Sequence, residues 1–530
     1  MTHREMETDV LVAGAGLGGI AAALAAAEHG QSVILTEPTR WIGGQSTSQA
    51  VPPDEHPWIE QHPGCASYAR YRTMVRDVYR NAYPITAEAR AIEHLNPGLG
   101  LVSGICHEPR ASLAVLETML LPWRSNRRIQ VQQGWLPTSV AVTGDRFDAV
   151  TFSTGDGDEA TVSARIVIDA TETGELLELG EVEHVIGSES QAQTGELHAL
   201  PGDPDPLDQQ AITWCYAIDW SPDTDNTIER PATYGRWRAL EPDFWPGPLL
   251  GWNDVHPETL ETRYLPLYLP EGGWDLWHYR RIVAKEQFEP GAFDSDIVAV
   301  NWPMQDYFEG PIIGVDNAAA ARHLEECRQL SLSLLYWIQT EAPRHDGGYG
   351  YPEVRLRSDV TGNGPDGLAI APYIRESRRI VAEYTITEQD VGVEARQGQD
   401  RAATYHDSVG IGSYRIDLHP STGQRTYVDV SSYPFELPLG ALIPQRVGNL
   451  LPACKNIGTT HITNGCYRLH PVEWLIGDVA GTLAAQSLAQ EVTPSAIRND
   501  AGRLEDFQRH LVHARGVELH WPDDIATKTR

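Results

Sequence analysis

Asp9-Val-Leu-Val-Ala13-Gly14-Ala15-Gly16-Leu17-Gly18-Gly19 is the stretch on which the reading of the chain turns. The run to Ala13 is short and apolar after Asp9, as a strand buried on both faces requires. Glycines follow, then an alanine-rich helix predicted from Ile20 to Glu28 and closed by Gly30 as its C-terminal cap. Ser32-Val-Ile-Leu-Thr36 reads as a second buried strand, ending on Glu37. Gly14 permits the tight turn, Gly16 lets the backbone approach a pyrophosphate, and Gly19 lets helix and strand pack closely. Free N–H groups at the helix start, those of Leu17 and Gly18 included, supply partial positive charge. Glu37 stands where a carboxylate accepts hydrogen bonds from both ribose hydroxyls. Strand, glycine turn, helix, strand and acid in that order predict dinucleotide binding.

Working outward, Trp41-Ile42-Gly43-Gly44-Gln45-Ser46-Thr47 carries a second glycine pair. There the chain can pass close beneath another part of an extended cofactor, which the nicotinamide of NAD does not require. Residues Glu108 to Arg124 read as a helix and Arg128 to Gln132 as a strand. The runs Trp135–Thr143, Arg146–Thr154 and Ala160–Arg165, with Gly-Asp turns between them, read as a meander. Ile166 to Asp169 reads as a last buried strand, running into Ala170-Thr171-Glu172-Thr173-Gly174. From Ser190 to Pro434 the chain turns rich in Trp, Pro and Asp, with helices predicted at Asn317–Thr340 and Tyr373–Tyr384. Strand character returns at Gly448-Asn-Leu-Leu-Pro452, and small residues make a helix from Pro471 to Ala489, with Gly477, Asp478 and Gly481 in it. The boundaries that follow are 1–190 and 436–495 for two parts of a cofactor domain and 191–435 for an inserted substrate or cap domain. Residues 496–530 form a C-terminal tail of one helix and a ragged end.

Composition narrows the function. The chain has 530 residues, 41% hydrophobic and 22% charged, the balance of a globular protein. With 41 basic and 73 acidic side chains it carries a formal charge of −32. Such a surface repels phosphate backbones and anionic lipid, so neither nucleic acid nor a membrane surface is an expected partner. Val10 to Ala27 contains no charged residue, but glycines break the run and Glu5, Glu7 and Asp9 precede it. It reads as part of a soluble domain. The six cysteines show no CxxC spacing and no HExxH is present, so neither a disulfide scaffold nor a metal site is expected. Reduced thiols suit a cytoplasmic location. Gln45-Ser46-Thr47-Ser48 stands where a disulfide reductase needs its cysteine pair. Gly362-Asn-Gly364-Pro-Asp-Gly367, with Glu388 beyond it, repeats the fingerprint formally. However, Val354-Arg-Leu-Arg-Ser-Asp359 is too charged for the buried strand before it, Pro365 removes a phosphate-binding N–H, and Pro372 interrupts the following helix.

Further stretches carry a resemblance. They are Gly43 to Thr47, Cys106-His107-Glu108-Pro109-Arg110, Asp169 to Gly174, Gln210-Ala-Ile-Thr-Trp214, Tyr373 to Arg379, Asp407 to Gly412, and Asn449 to Gly481. In these the chain resembles the FAD-dependent oxidoreductase family distantly related to the fumarate reductase and succinate dehydrogenase flavoproteins. The resemblance covers most of the length and is poorest between about 220 and 350. It implies an α/β protein whose Rossmann-like FAD-binding domain, a parallel sheet with a three-stranded meander, is interrupted by an α+β substrate or cap domain. It also implies FAD, covalent or not, and redox chemistry on a small organic molecule. Cofactor contacts are expected at Gly14, Gly16, Leu17, Gly18, Gly19, Glu37, Gly43, Gly44, Gln45, Ser46, Asp169, Ala170, Thr171, Gly174, Pro471, Gly477 and Asp478.

The chain departs from the commoner pattern at Thr460-His461-Ile-Thr-Asn-Gly-Cys-Tyr-Arg468-Leu-His470-Pro471-Val-Glu-Trp474. Pro471 fits a first helical turn, and the positive end of that helix would face the flavin. His461 and His470 are the candidates for a general base, with Arg468 orienting an anionic or carbonyl group. Arg375 and Arg379, four apart on a predicted helix, are weaker candidates to hold a carboxylate; an ion-paired helix surface is the favoured alternative. Trp214, Trp274, Trp277 and Trp302 suit stacking on a sugar or aromatic substrate, or plain core packing. The expectation is a dehydrogenase or oxidase that moves hydride between a small organic substrate and flavin N5. The alternatives are a monooxygenase using NAD(P)H and O2, against which stands the absence of an Arg after Thr171, and a non-catalytic flavin-binding protein. Substrate, direction, electron acceptor and flavin attachment stay open, and a homodimer is compatible with the sequence.

Overall fold

The structure is a computed structural model that describes residues 3–530. Strand β1 (His3–Ala13) runs through the glycine turn into α1 (Leu17–Glu28) and back into β2 (Val33–Glu37). Helices α2 (Ala66–Ala82) and α3 (Pro109–Ser125) precede β3 (Ile129–Gln133). Then come β4 (Leu136–Thr143), β5 (Arg146–Ser153) and β6 (Glu159–Asp169). All six belong to one seven-stranded sheet in the order β3-β2-β1-β6-β5-β4. β1 pairs in parallel with β2, Val10 opposite Val33, and with β6, Ala13 opposite Asp169.

One expectation is corrected here. The third meander run and the strand Ile166–Asp169 are a single strand. The N-terminal half of β6 pairs antiparallel with β5, and its C-terminal half pairs in parallel with a returning strand, Leu450 opposite Val167. One strand therefore ends a polar meander and begins a fully buried parallel core, which is why its alternation changes midway.

The second core is antiparallel. Strands β7 (Tyr216–Trp220), β8 (Arg281–Val283), β9 (Ile297–Val300) and, after helix α4 (Asn317–Thr340), β10 (Val354–Leu356) make a four-stranded sheet in the order β8-β9-β7-β10. Its apolar cluster runs from Ala211 to Tyr373, narrower than 191–435, and takes in only Ala50, Val51 and Tyr427 from elsewhere. Most buried apolar residues from Ile380 onward join the clusters of the parallel-sheet side instead. The predicted helix Tyr373–Tyr384 does not form. That segment crosses between the cores in extended form, Tyr373 bridging to Thr213 and Arg379 pairing with Val185. Arg375 and Arg379 thus share no helix face.

The chain returns through β11 (Leu450–Pro452), α5 (His461–Tyr467) and α6 (His470–Gln490) and closes with α7 (Ala501–Arg515). α6 lies along α1, and both are buried nearly end to end. No described helix is long and apolar enough to cross a membrane. The six cysteines are free and buried.

Candidate active site

The C-terminal edge of the parallel sheet carries the first part of the site, because there three strand ends meet the start of α1. Gly14 has φ +97° and a Cβ on it would sit 2.2 Å from the Ala170 carbonyl oxygen, so only glycine fits this turn. Glu37 closes β2. Its Oε2 accepts from the Ala15 N–H at 3.2 Å and its Oε1 from the Thr39 N–H at 2.9 Å. Burial pushes its carboxyl up to about 7. A cavity of about 180 Å³ opens against Gly14, Gly16, Glu37, Gly44, Ala170 and Thr171. The first-turn N–H groups of α1 have no carbonyl four residues back to bond, and so point positive charge along the helix axis.

Asp169 shapes this cavity from behind. Its Oδ1 accepts from the backbone N–H and the hydroxyl of Thr171 at 3.0 and 2.6 Å, and Asn456 donates to its carbonyl. Gly174, at φ +67°, starts a short helix against Ser377 and Arg378. Both brace the turn that presents Ala170 and Thr171.

The second glycine pair lies beside the first turn. Gly43 donates its N–H to the Ala15 carbonyl at 2.7 Å, and a Cβ on Gly44 would reach the Gly16 Cα at 3.0 Å. Beyond it, Gln45 Oε1, Ser46 Oγ and Gln49 Oε1 are buried without a hydrogen-bond partner. Unmet buried polar atoms are rare in folded proteins. A cradle closed to side chains, an acid at the ribose position and three unmet polar atoms beyond the second turn together fit an extended dinucleotide with a polar ring edge.

Glu473, Lys455 and Glu172 were not anticipated. The Glu473 carboxylate accepts the Gly18 N–H at 3.2 Å and the Gln45 side-chain amide, while Lys455 bonds Glu172 at 2.6 Å. An acid in the first turn of a proline-started helix is the one sequence signal that marks Glu473. Burial raises its carboxyl above the usual range.

Two expected contacts lie away from this cavity. Gly477 faces α1, where its Cβ would be 1.9 Å from the Gly18 carbonyl oxygen. Asp478 is fully buried between Arg515, at 2.7 and 2.8 Å, and the Ser67 hydroxyl at 2.5 Å. Both hold helices together and neither lines the cavity. Leu17 is likewise a core side chain, and Gly19 packs on the Gly14 carbonyl. Pro471 lies in the first turn of α6.

His461, Arg468 and His470 are all buried near the start of α6. His461 places Nδ1 3.0 Å from both carboxylate oxygens of Glu376. Burial opposes ionisation of Glu376, but His461 and Arg379 outweigh it and hold that carboxyl at about 2. Arg468 donates to the Tyr373 hydroxyl at 2.6 Å and to Asp417, leaving Nε unmet. His470 accepts the Asp54 N–H on Nδ1 at 3.3 Å, its Nε2 is unmet, and burial pushes its pKa down to about 3. Asp54 and Asp417, one hydrogen bond from His470 and Arg468, line a second cavity of about 260 Å³. Arg280 and Asn301 also line it, with His419 from the stretch that precedes the return segment. Neither Asp54 nor Arg280 stood out in the sequence.

Buried acids and histidines set opposite pH slopes. Glu37, Asp169 and Glu196 are pushed up to about 7 by burial, so the fold binds more protons than the unfolded chain from about 4 to 7 and loses stability as pH rises through that range. Burial holds His56 and His470 down to about 3 and His107 to about 4, so below 6.5 the unfolded chain binds more protons and stability falls with falling pH. The two sets offset each other between about 4.5 and 6.5. The thermal midpoint is expected to be highest there and to drop from pH 6.5 to 8, less steeply in Glu196→Gln. A midpoint still rising at pH 8 contradicts this.

Fold and cradle together define a dinucleotide-binding flavoprotein of the Rossmann type. The chain belongs to the FAD dependent oxidoreductase family, which it matches over residues 9–511. It is an enzyme of oxidation and reduction, and FAD is its cofactor. The match names no kinship with fumarate reductase. A search of curated proteins returns no match. Among solved structures, the chain is similar to a geranylgeranyl bacteriochlorophyll reductase-like protein from Thermoplasma acidophilum, at 10% identity over 96% of this chain and 84% of that one, TM-score 0.35. It is similar to anhydrotetracycline hydroxylase from Streptomyces rimosus, at 12% identity over 95% and 65%, TM-score 0.34. It also matches L-proline dehydrogenase from P. horikoshii, at 16% identity over 36% of this chain and only 25% of that one, TM-score 0.20.

Proposed function

We propose that the protein is a dehydrogenase whose small organic substrate occupies the 260 Å³ cavity between the two cores. The observation that carries this reading is that the polar cavity meets the cofactor domain at the start of α6, through Asp54 on His470 and Asp417 on Arg468. When bound, FAD takes up or gives back a hydride; the chain's own part is geometry and protons.

The two histidines divide the proton work. The Nδ1 of His470 accepts from a backbone N–H, so its proton sits on Nε2 and the ring is a neutral donor. His461 gives its Nδ1–H to Glu376, which leaves a lone pair on Nε2 and an anion placed to stabilise the imidazolium. His461 is therefore the base, Glu376 its positioning partner, and Arg468 acts on the cavity through Asp417. A wider kinship with the fumarate reductase flavoproteins belongs to this proposal.

An anaerobic screen of metabolites against the oxidised flavin absorbance tests it. A compound that bleaches the flavin identifies substrate and direction. His461→Asn is then expected to slow bleaching roughly 100- to 10,000-fold at unchanged flavin content, the usual worth of a general base. An unchanged rate removes His461 from the role. Rapid NADPH oxidation coupled to a hydroxylated product, with no bleaching by any organic compound alone, overturns the dehydrogenase reading.

A further inference from the structure

We propose that the substrate is an amino-acid-type zwitterion, its carboxylate held by Arg280 and its ammonium group by Asp54. This rests on the reading above that the substrate occupies the cavity between the cores. Arg280 is 7% exposed, and its Nε and Nη1 have no hydrogen-bond acceptor. The nearest acid is Asp54, whose Oδ1 lies 3.5 Å from Nη1 without the geometry of a hydrogen bond. Among the described residues that is the one ion pair Asp54 makes, and its backbone N–H is spent on His470.

Most neighbouring charges have partners. Arg263 grips Asp254 with two bonds of 2.8 Å. Arg415 holds Asp429 and Glu258. Asp417 has Arg468 and His419, and Glu55 has Arg72 and Tyr68. Arg375 spends Nη1 on Thr213 and the Ala211 carbonyl. Arg280 and Asp54 are thus an anion receptor and a cation receptor side by side, both lining one cavity and neither hydrogen-bonded to the other. The Tyr279 ring, 5.0 Å from the guanidinium carbon, fixes the plane of that fork. A guanidinium stays charged when buried and presents its donors in a rigid array that matches a carboxylate. Tyr427 also lines the cavity, and its buried hydroxyl is unmet. Arg530 lines the cavity with its Nε unmet as well. A plain carboxylic acid answers Arg280 and leaves Asp54 with nothing; an amine does the reverse. A molecule with both groups on neighbouring carbons answers each.

The test uses the FAD-loaded enzyme and a panel of α-amino acids, the same skeletons without the amino group, and the corresponding amines. Binding is read from the shift of the flavin visible spectrum, and reaction from anaerobic bleaching. At least one amino acid is expected to bind tenfold or more tightly than its des-amino and decarboxylated counterparts. Arg280→Met is expected to weaken amino-acid binding 10- to 100-fold and to spare amine binding, whereas Asp54→Asn spares the des-amino acid, as the loss of one charged hydrogen bond predicts. Arg280→Lys, which keeps the charge, guards against a misfolded Arg280→Met and is expected to recover part of the affinity. Equal binding of amino acid and des-amino acid, or bleaching by a neutral compound alone, overturns the zwitterion while leaving the dehydrogenase reading intact. Amino acids that shift the spectrum and never bleach it support the receptor and overturn the dehydrogenase.

Discussion

Gly477→Ala is expected to yield no soluble yellow protein. The added Cβ would lie 1.9 Å from the Gly18 carbonyl oxygen and 2.7 Å from the Gly18 Cα, distances that side-chain Cβ atoms do not adopt. Both obstacles are backbone, so no rotamer change relieves them. Helices α1 and α6 must move apart, and the same contact recurs one turn on, where a Cβ on Gly481 would meet the Ala22 carbonyl at 2.2 Å. Overpacking a tight core costs about 1–3 kcal/mol and more where backbone must shift, against a total stability of about 5–15 kcal/mol. Because the start of α1 also forms the cofactor cradle, FAD is lost with the packing. Gly202→Ala serves as the comparison: nothing lies within 4 Å of its Cβ, and its midpoint is expected to match the wild type. A soluble Gly477→Ala protein with normal flavin content and midpoint refutes the packing account.

Why Gly477 and Asp478 were read as cofactor contacts is physical. A glycine that admits a neighbouring helix and one that admits a phosphate leave the same mark in a sequence, and only the partner distinguishes them. The unit from β1 to β2 was legible because its signals are local: an apolar run, a glycine turn, an alanine-rich helix, an acid at a strand end. α4 was legible for the same reason. α2 was not, since its buried face is Tyr68, Tyr71, Arg72, Val75, Arg76 and Tyr79, a third of it arginine, and those charges mask the helical spacing of the apolar positions. The segment from Tyr373 to Tyr384 failed in the opposite sense. Its charges recur at helical spacing, but each buried arginine meets acceptors on a different element: Arg375 on Thr213 and Ala211, Arg379 on Glu189 and Gly187. Tertiary partners overrode local preference. The second cavity is beyond any local reading, because Asp54, Arg280 and the pair Asp417 and Tyr427 come from three distant stretches.

Asp478→Ala separates the remaining ambiguity, and its expected effect is nearly as large. Asp478 is 0% exposed and binds Arg515 through both carboxylate oxygens, at 2.8 and 2.7 Å. Arg515 ends α7 and also reaches Glu28 at the end of α1, so this cluster ties the C-terminal helix to the pair α1 and α6. Truncating the acid leaves a buried guanidinium short of its partner and the Ser67 hydroxyl without an acceptor. Breaking a buried pair in this way costs about 3–5 kcal/mol. The unfolding midpoint is expected to fall accordingly, while FAD affinity, measured by fluorescence on protein that remains folded, stays at the wild-type value, because Asp478 does not line the cradle. Asp478→Leu combined with Arg515→Met removes both charges together and is expected to recover part of the loss, as a fully apolar replacement of a buried pair does. Were Asp478 a flavin contact, the order would reverse: the single variant would lose FAD at an unchanged midpoint, and the second substitution would restore nothing.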